Sequence, residues 1–285
     1  MFSNRSFISL NSIDYLKYSI KEWENDQEFR FNIFQSEESA DILLKIEKKT
    51  QYNLSDIADF SLGITPYDKY KGHSENLIKN KEFHSKTQLN NTYKPLISGK
   101  NIKQYVIDEK VDEYIKYGDW LGASRDERFF ISPRLIVRQI VSSNPIRMFC
   151  AYTEKPLYFT QIGFSIIAKE EFYSNFVLLA LMNSELLNFY HAHRFLDIEK
   201  NVFQKILIAN CKKFPIPFIS DKTLEKLEYL AKSMISSINK KQETSIIERE
   251  INSIVYKLYD LNYDNVKIIN PDFSVSVEEY NAIEV

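Results

Sequence analysis

The residues best suited to bind a charged partner are Arg134 and Arg138. They lie four positions apart in FFISPRLIVRQIV, residues 129–141, whose β-branched and aromatic composition predicts a strand. Because side chains alternate along a strand, both arginines point to one side, together with Ile136 and Ile140. Two interpretations fit this pattern. The guanidinium groups can bind phosphates or guanine edges, or their stems can cover the core while their heads pair with Asp or Glu.

Other polar and cationic residues could extend such a surface. Gly63 lies in the strand-like FSLGIT, where a missing side chain lets backbone approach a ligand, and Lys100 lies in a Ser-Gly-Lys turn. Each of these residues could also be an ordinary surface or structural residue. In the RDER stretch at 125–128, the charges of the two arginines and the two acidic residues cancel. The predicted nucleic-acid contacts are Gly63, Thr65, Lys94, Lys100, Arg125, Arg128, Arg134, Arg138 and Arg147.

The charge distribution agrees with a modest phosphate-facing surface in the middle of the chain. The net charge is −2, but residues 60–220 carry +6, whereas residues 1–59 and 221–285 carry −4 each. A basic centre favours phosphate binding, although an excess of this size also arises by chance. Four lysines in this part could follow a phosphate backbone, and an ordinary solvated face is favoured slightly for them; they are Lys200, Lys205, Lys212 and Lys213.

Motifs for catalysis do not stand out. An adenine methyltransferase needs a glycine-rich loop and an Asn-Pro-Pro-Tyr tetrad that grips the flipped base. The nearest match, VKIINPDF at 266–273, has Asp272 in place of the second proline and no glycine-rich loop before it. We predict a helix-ending turn there. No metal site is formed by the contiguous charged residues Asp108, Glu109 and Lys110, by the two histidines at 191 and 193 or by the two distant cysteines, so no catalytic or metal-binding residue is predicted.

The composition is that of a globular protein. The 285 residues are 44% hydrophobic and 27% charged, with six glycines and two cysteines. Two cysteines exclude a disulfide-rich secreted scaffold and favour a reduced setting. The beginning of the chain does not resemble a signal peptide, and no apolar run reaches about 18 residues. We therefore expect a cytoplasmic protein without a membrane span.

The elements that must position the candidate residues predict an α+β fold. Helices are predicted over 13–28, 37–49 and 173–194, and a polar loop over 67–92. Strands are predicted over 60–65, on each side of a turn at 98–100 within 94–108, over 129–141, and as short strands over 146–152, 157–161 and 163–169. Two amphipathic helices follow at 221–241 and 244–261. We predict a central mixed, curved sheet with a docked helix. The expected parts are a helical lead-in (1–50), a central domain (51–220) and a helical C-terminal region (221–285).

The order and spacing of several stretches resemble one known family. They are LSDIADFSLGITP (54–66), YKPLISGKNIKQY (93–105), YIKYGDW (114–120), FFISPRLIVRQI (129–140), YFTQIGFSII (158–167), FVLLALMNSELLNFYHAHR (176–194), KFPIP (213–217) and EREINSIVYKLYDLNYDNVKII (248–269). This set is similar to the TaqI-like C-terminal specificity domain, the target-recognition module of adenine-specific DNA methyltransferases and type IIG restriction–modification enzymes.

The resemblance implies a module that binds double-stranded DNA and directs a methyltransferase or endonuclease on another domain or chain. S-adenosylmethionine would then belong to that catalytic partner and not to this chain. Because the matching segment begins near Met1, the chain is expected to be a recognition module without its methyltransferase. Two alternatives stay open: a stand-alone or remnant adenine-specific methyltransferase or restriction enzyme, and a half-sized type I-like specificity subunit.

Overall fold

A computed structural model describes residues 36–142, 145–197 and 204–285; the helix predicted over 13–28 lies outside this part. The first described helix, α1 (Glu37–Lys48), begins where the sequence predicts. The Ser36 hydroxyl accepts a hydrogen bond from the Ser39 N–H, and acidic residues occupy the first turn and lysines the last. Its apolar stripe, which includes Ile42 and Ile46, is buried.

A four-stranded antiparallel sheet forms the centre of the fold. Its strands lie in the order β2 (Ala58–Leu62), β9 (Gly163–Ala168), β6 (Arg134–Arg138) and β7 (Cys150–Thr153). In this register Ile136 lies opposite Ser165 on β9 and Ala151 on β7. The strand predicted from the two arginines is therefore an inner strand of this sheet.

A second four-stranded sheet is mixed. Its order is β3 (His84–Ser85), β5 (Glu113–Lys116), β4 (Tyr93–Ile97) and β8 (Tyr158–Phe159), and only the β4–β8 pair is parallel. A two-stranded ladder joins β1 (Tyr52–Asn53) to β10 (Pro215–Ile216). The α+β fold with mixed strand pairing is confirmed, with the strands divided between separate sheets.

Both faces of β6 are buried, because a different hydrophobic cluster covers each one. Leu135 and Val137 belong to the larger cluster, which contains α5 (Asn175–Asn183) and α6 (Glu185–Phe195). Ile136 belongs to a smaller cluster with residues of the second sheet. The docked helix predicted for this sheet is confirmed on the face of Leu135 and Val137, and the face of Ile136 meets apolar residues.

The helix predicted over 173–194 is divided at Ser184. The Ser184 hydroxyl accepts from the Leu187 N–H and donates to the Leu181 carbonyl, so this residue ends α5 and begins α6. Two asparagines of these helices then bind the outer strand β7. The Asn183 side chain exchanges two hydrogen bonds with the backbone of Cys150, and Asn188 accepts from the Met148 N–H. These amides replace the missing neighbour strand at the edge of the sheet.

The C-terminal helices match their prediction. They are α8 (Asp221–Asn239) and α9 (Ser245–Leu258), followed by α10 (Tyr263–Ile269) and α11 (Val277–Asn281). The VKIINPDF segment is a helix end, as predicted. Its Asn270 amide donates to Glu185, which also accepts from the Tyr256 hydroxyl.

Three segments differ from their predictions. The polar loop at 67–92 contains a 3-10 turn (Lys69–Lys71), α3 (Glu75–Asn80) and strand β3, because Asp68 and Ser74 cap the local turns. The second strand expected before residue 108 is present only as isolated bridges. The first residues of FFISPRLIVRQIV form the short helix α4 (Arg128–Ile131), which ends at Ser132 because a residue before proline favours extended backbone.

The remaining short helices are α2 (Leu54–Ile57) and α7 (Ile208–Cys211). No helix in the described part of the chain is long and apolar enough to cross a membrane.

Candidate nucleic-acid interface

One end of the central sheet brings several candidate residues together. Strand β2 ends just before Gly63, β6 ends at Arg138, and β9 begins at Gly163, which lies opposite Arg138. The Gly63 N–H donates to the Gly163 carbonyl at 3.3 Å. We define the sheet-end surface as Thr65, Gly99, Lys100, Arg125, Arg138 and Gln161, which lie around the buried Gly63.

Glycines at this end let chain segments approach each other closely. A Cβ on Gly63 would lie 1.9 Å from the Thr160 carbonyl oxygen, and a Cβ on Gly163 would lie 2.5 Å from the Val137 carbonyl oxygen. The Ile64 N–H next to Gly63 donates to the Phe159 carbonyl at 2.9 Å. Gly63 is therefore required for close backbone packing within the protein. The sequence alone had suggested that this glycine lets a ligand approach the backbone.

Arg138 reaches this surface in a fixed orientation. Its guanidinium carbon lies 3.6 Å from the centre of the Phe149 ring, and its Nε donates to the Ile140 carbonyl at 2.7 Å. Its stem covers Gly99. Partial burial lowers the pKa of Arg138, but a guanidinium stays charged at neutral pH. Its Nη groups make no hydrogen bond or ion pair with the residues the structure describes, so the cation is held rigidly and is not neutralised.

Lys100 follows Gly99, which the Arg138 stem covers, and Thr65 and Gln161 lie in segments that adjoin the same sheet end. Lys100 is exposed, and its ammonium group lies 3.4 Å from a carboxylate oxygen of Asp112, a long contact of little strength at an exposed site. The Gln161 amide donates to the Thr65 hydroxyl at 2.9 Å and is itself exposed. The surface therefore offers hydrogen-bond donors and acceptors between its cations.

Arg125 adds a further cation. Residue Ala123 pairs with Thr65 through two backbone hydrogen bonds of 2.9 Å, which places the 118–126 loop beside the sheet end. Arg125 has a left-handed backbone, with φ of 65°, and its carbonyl accepts from the Tyr117 hydroxyl. Its side chain is exposed and forms no ion pair within the described residues.

The structure corrects the expectation for Arg134. Its side chain is 0% exposed, and its Nη groups donate to the carbonyl oxygens of Ser132, Lys155 and Leu157 at 2.8–3.0 Å. Burial lowers the pKa of Arg134 to about 10, so the group is still protonated at neutral pH. A guanidinium without exposed surface holds the protein backbone and is not available to a phosphate. Its partners are carbonyls and not the carboxylates that the structural interpretation expected.

Three other candidates lie away from the sheet-end surface. The Arg128 guanidinium forms ion pairs with the carboxylates of Asp59 and Asp126, with nitrogen–oxygen distances of 3.0 and 2.9 Å. Arg147 lies between Glu185 and Glu248 of the helical region, at 3.7 and 3.3 Å. Lys94 lies opposite Ile115 in the second sheet, near the start of the strand that ends before Gly99. The roles assigned to these residues from the sequence stay predictions.

Two residues of this region were not predicted from the sequence, and a third was expected to be an ordinary surface residue. Gln161 and Phe149 were not singled out, although the polar Thr160-Gln161 pair just before Gly163 was a usable signal for an exposed strand end. Lys205, for which a plain solvated face was favoured, lies opposite Ile140 in a backbone bridge and is exposed at the same sheet end. Ile140 lies 65 positions before Lys205 in the sequence, so no local pattern indicates that Lys205 lies at the sheet end.

The sheet-end surface offers groups that can bind charged and polar partners. No group of three or more potential metal-ligating side chains occurs within the described ranges. Burial raises the pKa of both the Cys150 and the Cys211 thiol, so neither is an activated nucleophile. The surface combines the rigidly held cation Arg138 and the exposed cations Lys100 and Arg125 with uncharged hydrogen-bonding groups, a combination suited to phosphate contact and to recognition of base edges.

Comparisons with known proteins place the fold. Residues 94–216 match the TaqI-like C-terminal specificity domain. The type IIL restriction-modification enzyme MmeI, solved in complex with DNA, is similar with a TM-score of 0.53 and 11% identity, over 82% of this chain and 36% of that chain. The type IIG restriction endonuclease BpuSI gives a TM-score of 0.46 and 10% identity, over 84% and 34%.

The HsdS subunit from Thermoanaerobacter tengcongensis gives a TM-score of 0.38 and 9% identity, over 78% of this chain and 50% of that chain. No curated protein matches the sequence. At 11% identity the likeness to MmeI shows the fold alone, and the chain spans only 36% of the length of MmeI. The family match over residues 94–216 agrees with the resemblance to the TaqI-like C-terminal specificity domain seen in the sequence.

Proposed function

We propose that this chain binds double-stranded DNA through the sheet-end surface and directs a methyltransferase or endonuclease that acts on the bound site. The observation that carries the proposal is the position of Arg138. It is a permanent cation at the end of an inner strand, is oriented by Phe149 and by the Ile140 carbonyl, and has no carboxylate partner within the described residues.

Rigid placement is what recognition of DNA requires. A guanidinium that is already oriented loses little side-chain freedom on binding, so more of its interaction energy contributes to affinity. Arg138, Lys100 and Arg125 would contact phosphates or guanine edges, while Gln161 and Thr65 offer an amide and a hydroxyl to base edges. Cations fix the position on the duplex, and the uncharged pair contributes to the choice of sequence.

The catalytic step belongs to a partner in this proposal. The sequence lacks the Asn-Pro-Pro-Tyr tetrad and the glycine-rich loop of an adenine methyltransferase, and Asn270 of the nearest match donates its amide to Glu185 within the protein. We therefore assign S-adenosylmethionine and the adenine-specific transfer to a domain or subunit other than residues 36–285. A partner of the type IIG kind, with methylation and cleavage activities, fits this assignment.

The test is titration of a labelled mixed-sequence duplex, followed by fluorescence anisotropy, at low and moderate salt. We expect measurable binding at low salt that weakens as salt rises, because phosphate contacts release counterions. Replacing Arg138 and Lys100 together with alanine should lower affinity at least tenfold and reduce the salt dependence by about two counterions.

The matched control is Lys240→Ala, which removes an exposed lysine at the end of α8 that does not belong to the sheet-end surface. It should bind like the unaltered protein. The proposal is overturned if the protein does not bind DNA even at low salt, or if the Arg138/Lys100 double variant keeps full affinity.

A further inference from the structure

Trp120 is an exposed aromatic residue held in one orientation. Its side chain is 42% exposed. The indole Nε1 donates to the Lys116 carbonyl at 2.9 Å, and the ring lies against Gly118, where a Cβ would come within 2.5 Å of it. The hydrogen bond from Nε1 and the contact with Gly118 already restrict the orientation of the indole before any ligand binds.

The backbone of Trp120 is held as firmly as its ring. Its carbonyl oxygen lies 2.9 Å from His73 Nε2. The Asp68 N–H donates to His73 Nδ1 at 3.0 Å, so Nδ1 is the acceptor and Nε2 carries the proton that is donated to Trp120. The 64–73 segment thus fixes the loop that presents the indole.

This loop continues directly into the sheet-end surface. The Gly122 N–H donates to the Pro66 carbonyl, and Ala123 pairs with Thr65. Trp120 therefore lies on the same loop as Arg125 and next to the segment that carries Thr65. The aromatic ring and the candidate DNA contacts belong to one continuous surface.

Two cations belong to the segments that hold the indole. The Lys116 ammonium lies 5.0 Å from the ring centre, and Arg125 lies on the same loop. Asp119 adds one exposed carboxylate, Asp126 is paired with Arg128, and Glu127 accepts a hydrogen bond from the Tyr158 hydroxyl. An apolar ring with cations nearby complements the apolar face of a deoxyribose between two phosphates.

We propose that Trp120 contacts a deoxyribose of the bound duplex, with Lys116 and Arg125 at the flanking phosphates. This assignment rests on the proposed DNA binding and adds an aromatic contact to it. A rigid indole with two nearby cations is the type of residue that contributes strongly to binding at low cost in conformational entropy.

The test uses tryptophan fluorescence. The chain has two tryptophans, and Trp23 lies outside the described residues. In a Trp23→Phe protein, Trp120 is the single indole. We expect its emission to change during titration with duplex DNA and to reach saturation together with the anisotropy of a labelled duplex.

Variants give a second, independent measurement. Trp120→Ala should lower DNA affinity by at least about fivefold, which corresponds to about 1 kcal/mol for loss of an aromatic contact, and Trp120→Phe should keep most of it. Tyr229→Ala is the matched control, because Tyr229 is 69% exposed on α8. Circular dichroism and a thermal melt check that each variant is folded.

The outcomes separate the two proposals. If anisotropy shows DNA binding while the Trp120 emission does not change and Trp120→Ala binds normally, the indole contact is wrong and the proposed function stands. If the protein binds no DNA by anisotropy, both are wrong.

Discussion

The Arg138 guanidinium lies 3.6 Å from the centre of the Phe149 ring, at the end of the strand whose other end holds the buried Arg134. Arg134 and Arg138 each lie two positions from Ile136 and point to the same side of β6, yet their contacts differ. Arg134 binds three backbone carbonyls in the interior, and Arg138 reaches the sheet-end surface. One stabilises the fold, and the other is free to bind a ligand.

Substitution should separate these roles. Arg134→Ala removes the donors for the Ser132, Lys155 and Leu157 carbonyls and empties a fully buried site. We expect the free energy of unfolding to fall by about 3–5 kcal/mol, because three carbonyls lose their donors and a cavity is left in the core. Arg138→Ala, at a partly exposed site, should cost less than about 1 kcal/mol. Urea denaturation of both variants measures the difference, and equal losses would contradict the assignment.

The contrast between these two residues also shows what the sequence could predict. Helices α8 and α9 were found from apolar periodicity, because the spacing of Leu227, Leu230 and Met234 is a local property of the chain. The α+β class and the position of β6 followed from the same kind of pattern. The burial of Arg134 did not, because it depends on the second sheet and on carbonyls of the 155–157 loop, more than 20 positions away.

The candidate surface was predicted in part for a related reason. Gly63, Thr65, Lys100 and Arg138 were selected as separate signals and do meet at one sheet end, because strand ends bring distant segments together. Arg147 was selected on the same grounds, but it contacts Glu185 and Glu248 of the helical region. Which cations are neutralised is decided by tertiary contacts that local sequence does not contain.

The glycines of the sheet end can be tested as a matched pair. Gly63→Ala would place a Cβ 1.9 Å from the Thr160 carbonyl oxygen, whereas Gly99→Ala would make only ordinary contacts, 3.7 Å from the Arg138 side chain. We expect Gly63→Ala to lower the free energy of unfolding by about 1–3 kcal/mol, because backbone must move to relieve the clash. Gly99→Ala should change it by less than about 0.5 kcal/mol. Thermal and urea denaturation check this, and a Gly63→Ala protein as stable as Gly99→Ala would show that the contact is not as close as described.

His191 makes stability depend on pH. Its ring is 0% exposed, lies near Phe195 and Phe214, and has no hydrogen-bond partner for either nitrogen among the described residues. Burial lowers the pKa of His191 to about 4, whereas in the unfolded chain it is about 6.5. Between these values the unfolded state binds more protons, so stability is complete above the unfolded pKa and declines as pH falls toward the folded pKa.

The contribution of His191 to this decline is up to about 3 kcal/mol. Urea denaturation midpoints between pH 7.5 and pH 4.5 measure it in the unaltered protein and in His191→Leu, which keeps an apolar side chain of similar volume in the core. We expect the leucine variant to lose less stability on acidification, with His73→Gln, a change at the partly exposed histidine beside Trp120, as the control. Parallel pH profiles for the unaltered protein and His191→Leu would contradict the assignment, because they would show that protonation of this ring does not drive acid unfolding.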